Sequence, residues 1–139
     1  MITGRCLCGN IRYEIAGRLG PIVYCHCSMC RRATGSAFAT SASVRTSEFG
    51  VVAGSELISE YESSPSNVRA FCSRCGSPLY CKFFGLVHIR LGGLDDDPGG
   101  RPVAHVWAHS KAPWHEITDS LVQFAQAAPE RYGAPAASD

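Results

Sequence analysis

Tyr24-Cys25-His26-Cys27-Ser28-Met29-Cys30-Arg31-Arg32 carries three thiols in C-x-C-x-x-C spacing. On an extended segment successive side chains alternate faces, so Cys25 and Cys27 point one way and His26 the other. Cys30 then returns from the following turn. Three converging sulfurs suit a soft, tetrahedral metal such as zinc, and three protein ligands leave one coordination position open. Chemistry is expected at that position.

Two further cysteine pairs flank the stretch. Cys72-Ser73-Arg74-Cys75-Gly76 reads as a zinc-knuckle turn, in which the glycine tolerates a left-handed backbone and lets amide groups face the thiolates. Such a turn gives two ligands, and a closed structural site needs four. Cys6 and Cys8, expected on a short strand and followed by Gly9, are the natural other half. Joining the two pairs pins the N-terminal strand to the middle of the chain, and metal binding then supplies about 10 kcal/mol of folding free energy. Cys81 is left over. Alone inside Leu79-Tyr80-Cys81-Lys82-Phe83, it reads as a small buried apolar residue. The alternative is that Cys81, or less readily His26, closes the second site with a fourth ligand.

Three thiolates on a divalent zinc leave a net negative site, a weak activator of water. A thiol suits the open position better, since it loses its proton on binding and is held as an oriented thiolate. Arg31 and Arg32, next to Cys30, are candidates to meet the carboxylates of a thiol-bearing anion, or are solvated surface arginines.

Outward from the thiols the pattern is β. Ile11, Tyr13 and Ile15 alternate with Arg12 and Glu14, predicting a half-buried strand over 10–16. A strand over Ile22 to Cys27 delivers the central thiols. Ser28 is expected to cap one or two helical turns over Met29 to Thr34, stopped by Gly35. Short strands follow through Phe38 to Val44, Phe49 to Val51, Leu57 to Tyr61 and Val68 to Phe71. Leu79 to Phe84 and Leu86 to Leu91 make a hairpin around Gly85, and 92–100 is a polar loop. Val103 to Ala108 is the last predicted strand, placing His105, Trp107 and His109 on one face. Asp119 or Ser120 is expected to cap a short helix through Leu121, Phe124 and Ala125. His88, His105, His109 and His115 are read as structural, as are Trp107 and Trp114, since no spacing imposes a role on them.

The 139 residues, 45% of them apolar, fit one domain. It is expected over residues 1–127, with a flexible tail over 128–139. A net charge of +1, from 13 basic and 12 acidic residues, disfavours nucleic acid as partner. With no apolar run of membrane length and no leader pattern, the chain reads as cytoplasmic, without a membrane partner. Reduced cytosolic thiols in C-x-C and C-x-x-C pairs favour metal over disulfides.

Gly4-Arg5-Cys6-Leu7-Cys8-Gly9-Asn10-Ile11-Arg12-Tyr13, Cys25-His26-Cys27-Ser28-Met29-Cys30-Arg31-Arg32, Thr34-Gly35-Ser36, Phe71-Cys72-Ser73-Arg74-Cys75-Gly76-Ser77-Pro78-Leu79 and Ser110-Lys111-Ala112-Pro113-Trp114 together resemble the glutathione-dependent formaldehyde-activating enzyme family, which includes centromere-protein-V-like members. The resemblance implies a mostly β, zinc-stabilised, tent-like fold of short antiparallel strands with one or two short helices. It implies structural zinc on Cys6, Cys8, Cys72 and Cys75, and catalytic zinc on Cys25, Cys27 and Cys30. The implied activity is that of a carbon–sulfur lyase, an S-(hydroxymethyl)glutathione synthase joining glutathione to formaldehyde. A zinc-stabilised protein-binding module without chemistry is the rival reading.

Overall fold

The computed structural model describes residues 1–132. Among these, the chain forms β1 (Ile2–Arg5), β2 (Arg12–Ile15), β3 (Ile22–Cys25), helix α1 (Ser28–Thr34), β4 (Ala39–Arg45), β5 (Phe49–Ala53), β6 (Ile58–Ser64), β7 (Asn67–Cys72), β8 (Pro78–Phe83), β9 (Leu86–Arg90), β10 (Pro102–Val106) and β11 (Val122–Gln123). The mostly β expectation holds.

Strands β1, β2 and β5 make a small antiparallel sheet in the order β1-β2-β5, and the other eight make a second sheet in the order β11-β10-β3-β4-β9-β8-β7-β6. The second sheet is mixed, because β10 runs parallel to both β3 and β11. The long 91–101 connection carries the chain back before β10 starts, as a parallel pairing requires.

One cluster binds the sheets together. Tyr13 and Ile15 of β2 and nearby Ile11 pack with Val44, Ala70, Leu79, Tyr80, Val87 and Ile89 from the large sheet. Strand alternation places the partners of these residues on the opposite face. In β9, Val87 and Ile89 enter the core while His88 and Arg90 turn away from it; in β8, Tyr80 enters and Cys81 turns away. Registry then aligns the far face: Arg69 pairs with Cys81, Cys81 with His88, His88 with Ser43, and Arg90 with Ser41. This second, polar face carries the site.

Phe84 and Gly85, both at positive φ (52° and 71°), form the two-residue β8–β9 turn, in the place expected. Four local expectations change. The cap of α1 is Cys27 rather than Ser28: its sulfur accepts the Cys30 N–H at 3.3 Å, so Ser28 is already inside the helix. Cys6 and Cys8 lie in the turn after β1, not on a strand. β10 ends at Val106, where Trp107 takes a left-handed φ of 55°, so Trp107 and His109 do not continue the face of His105. No helix forms over 119–125. That segment instead pairs with β10 and its extension, Phe124 N–H donating to His105 O at 2.8 Å and Ala108 N–H to Phe124 O at 3.0 Å. Long-range backbone pairing overrides a weak local helix signal.

Within the expected tail, Glu130–Tyr132 form a 3-10 turn and Tyr132 packs its ring 5.2 Å from Phe124. Residues 133–139 of that tail lie outside the described residues. Among the described residues no helix is long and apolar enough to cross a membrane.

Candidate functional site

Cys6, Cys8, Cys72 and Cys75 bring four sulfurs within 4.8 Å of one another. Cys6 Sγ lies 3.5 Å from Cys8 Sγ, which lies 3.9 Å from Cys72 Sγ. A tetrahedral zinc with bonds near 2.3 Å would space its sulfurs by about 3.8 Å, so the set fits that ion. Two matching turns present it. Gly9 and Gly76 both have φ of 78°, and their N–H groups return to Cys6 O and Cys72 O at 3.0 and 2.7 Å. Ile11 N–H and Cys75 N–H donate to the sulfurs of Cys6 and Cys72, as thiolate ligands require.

The second cluster is Cys25, Cys27 and Cys30, again within 4.8 Å of one another, and no fourth His, Cys or carboxylate joins it among the described residues. Cys25 ends β3, Cys27 caps α1, and Cys30 is buried in the first turn of that helix. Hydrogen bonds from Cys25 and Cys27 hold the Cys30 thiol far below the ordinary thiol range, and the charges of Arg90 and Arg69 act the same way. Its bonds with Cys27 and Cys30, together with burial, push the Cys25 thiol up. The donor set fits a soft metal with an open position.

Cys25 and Cys30 open into a cavity of about 220 Å³ on the polar face of the large sheet. Val23, Val106 and Trp107 wall one side. Asn67, Arg69, Cys81 and Arg90 hold the other. Arg69 lays both terminal nitrogens 3.8 Å from Cys30 Sγ, with Nε donating to Ser63 Oγ at 2.8 Å. Arg90, only 9% exposed, donates to Cys81 Sγ at 2.9 Å. Cys81 is buried as expected, yet it faces this cavity and two guanidiniums rather than apolar packing alone. Burial pushes its thiol up, against the pull of both arginines.

Arg31 and Arg32 do not line this cavity. Arg31 turns its Nε to His26 O at 3.4 Å, and Arg32 is exposed on α1. Arg69 and Arg90 were missed in the sequence because a charge in a strand ordinarily marks a solvated face. The available signal was Leu86-Val87-His88-Ile89-Arg90, where two polar residues alternate with core residues in a strand flanked on both sides. A larger cavity, about 590 Å³, lies beside Cys6, Arg5, Phe38 and Asp95, and no thiol of the three-cysteine cluster lines it.

Behind the cluster, His26 is fully buried and turned away from the sulfurs, as alternation requires. Its Nε2 lies 2.8 Å from His105 Nδ1, and His105 Nε2 lies 3.0 Å from both oxygens of Asp119. The carboxylate fixes the proton of His105 on Nε2, so Nδ1 accepts from His26 Nε2–H. Burial lowers His26 to about 4, and the charges of His105, His115 and Lys111 act in the same sense, so the ring stays neutral. His88, also lowered by burial, sits 3.3 Å from Phe83 O.

Two cysteine clusters able to hold metal, one closed by four sulfurs and one open at three, on paired β-sheets, define a cysteine-rich β protein with two candidate metal sites. The family model described as "Glutathione-dependent formaldehyde-activating enzyme" matches residues 1–110, and the chain belongs to that family. A Halomonas elongata protein, provisionally named a glutathione-dependent formaldehyde-activating enzyme, is 33% identical over 129 residues, 84% of this chain and 81% of that one. A crystal structure of a Rhodobacter sphaeroides protein matches with a TM-score of 0.59 and 27% identity, over 72% of this chain and 91% of that one.

Proposed function

We propose that this protein is a zinc-dependent carbon–sulfur lyase of the S-(hydroxymethyl)glutathione synthase type, acting on glutathione and formaldehyde. The observation that carries the reading is the open set Cys25, Cys27 and Cys30, of which Cys25 and Cys30 line a cavity, beside a closed set of four thiols. Family membership and the name of the Halomonas elongata relative support the substrate pair.

Zinc held by Cys25, Cys27 and Cys30 would supply an open position that favours the thiolate form of an incoming thiol. The rest belongs to the chain. Arg69 and the Cys30 N–H to Cys27 bond fix the ligand sulfurs before substrate arrives. Val23, Val106 and Trp107 thin the water around the reacting atoms. The substrate sulfur adds to the carbonyl carbon, the C–S bond forms, and the π pair moves to oxygen, which takes a proton. In the lyase direction the same bond breaks. Cys6, Cys8, Cys72 and Cys75 hold the scaffold.

The test is the exchange between formaldehyde, glutathione and S-hydroxymethylglutathione, followed by NMR with native protein, Cys27→Ser protein and no protein. The uncatalysed reaction runs by itself, so the expected result is a rate excess that needs both glutathione and Cys27. Three equal rates would overturn the activity and favour the protein-binding module.

A further inference from the structure

The cavity beside Cys25 and Cys30 holds two guanidiniums with no carboxylate partner among the described residues. Arg90 is 9% exposed, and a buried guanidinium ordinarily meets an anion. Its recorded side-chain contact is a thiol, Cys81 Sγ. Of its five N–H donors, one is spent there. Asn67 Oδ1, in the same lining, is buried without a hydrogen-bond partner among the described residues. Donors in excess and a free acceptor within one wall suit an oxygen that is first an anion and then a hydroxyl. A carboxylate would satisfy the arginines but would leave the Asn67 oxygen facing another acceptor. The volume, about 220 Å³, also suits a small group better than a tripeptide.

We propose that Arg69 and Arg90 form an oxyanion pocket for the carbonyl oxygen of the substrate, with Asn67 accepting from the hydroxyl that results. This deepens the reading above and rests on it. The sulfur lone pair makes the C–S bond, the C=O π pair moves to oxygen, and the alkoxide is held by the guanidiniums. It then takes a proton from water, replacing the one the thiol lost, so no net proton is exchanged.

The experiment uses the zinc-loaded protein and two readouts. In a Trp114→Phe background, Trp107 in the pocket wall reports binding of formate, a one-carbon oxyanion. Saturable quenching is expected, weakened at least about tenfold by Arg90→Gln. In turnover, Arg90→Gln should lower kcat with little change in KM for the thiol, by the same factor for 2-mercaptoethanol and 3-mercaptopropionate, at unchanged zinc content. A loss confined to 3-mercaptopropionate would make the pocket a carboxylate site and overturn the proposal. So would absence of formate binding combined with loss of zinc in the variant, which would make the arginines simple counter-charges to the thiolates. Should Arg90→Gln fail to fold, Arg69→Gln, on a half-buried side chain, answers the same questions. If wild-type protein turns over no thiol, the proposed activity falls, and absence of formate quenching then overturns the pocket as well.

Discussion

Arg90 directs its guanidinium at the thiol of Cys81, 2.9 Å away, from the neighbouring strand. With Arg90 nearly sealed from solvent, that sulfur is the acceptor for a buried charge. Cys81→Ala should therefore cost about 1–3 kcal/mol in denaturant unfolding, by stranding a donor rather than by loss of packing alone. Cys81→Ser, which keeps an acceptor, should recover most of the loss. The zinc-to-protein ratio should stay the same in both, because Cys81 belongs to neither thiol cluster. A fall in that ratio would make Cys81 a ligand after all.

The two clusters should differ when metal is withdrawn. Cys6 and Cys8 reach Cys72 and Cys75 across about half the chain, so a metal there closes a long loop and shares in the folding free energy. Cys25, Cys27 and Cys30 close a few residues already ordered by β3 and α1. Under a chelator monitored by colour, zinc should leave in two phases, the three-thiol site first with circular dichroism unchanged, the four-thiol site later with unfolding. Cys72→Ser should abolish the soluble fold, whereas Cys27→Ser should keep it. A single phase with simultaneous unfolding would mean that both sites are structural.

How far these sites were legible in the sequence follows from distance along the chain. Cys25, Cys27 and Cys30 lie within six positions, so local backbone geometry alone brings their sulfurs together. Cys72 and Cys75 are equally local. Arg69, Cys81 and Arg90 come from three strands, and their meeting depends on the pairings Arg69 with Cys81 and Tyr80 with Ile89. A slip of one residue would turn each of them into the core, and no local pattern states the register. The 119–125 segment failed for the same reason: its backbone partners sit on β10, far upstream. The cap of α1 was missed because a cysteine is not an ordinary cap, and here a candidate metal-ligand sulfur does that work as well.

Tyr13 carries a hydroxyl that is buried without a partner among the described residues. Burial pushes its ionisation up to about 12, and the charge of Asp95 adds to the effect. Between pH 10 and 12 the unfolded chain loses this proton while the folded chain keeps it, so stability falls as pH rises through that window. The loss amounts to about 2–3 kcal/mol by pH 12. Tyr13→Phe should be neutral or stabilising at pH 7, since it removes an unsatisfied polar atom from a filled site. It should also flatten the decline above pH 10 in urea midpoints. An equally steep decline in the variant would assign it to other groups.

Asp119, His105 and His26 hold the thiol-bearing segment from behind. Asp119 is the exposed member of this hydrogen-bonded series; burial acts to raise its carboxyl, but the Leu121 N–H and His105 outweigh it and hold the group below the usual range. Its contribution is therefore complete above the ordinary carboxylate range and is lost as pH falls through the lowered value. Asp119→Ala removes the acceptor that sets the tautomer of His105, so His26, which separates Cys25 from Cys27, loses a defined partner. The expected outcome is zinc release several-fold faster from the three-thiol site and unchanged from the four-thiol site, with Asp119→Asn intermediate because its amide oxygen still accepts. Equal release rates in wild type and Asp119→Ala would reduce the histidine pair to packing.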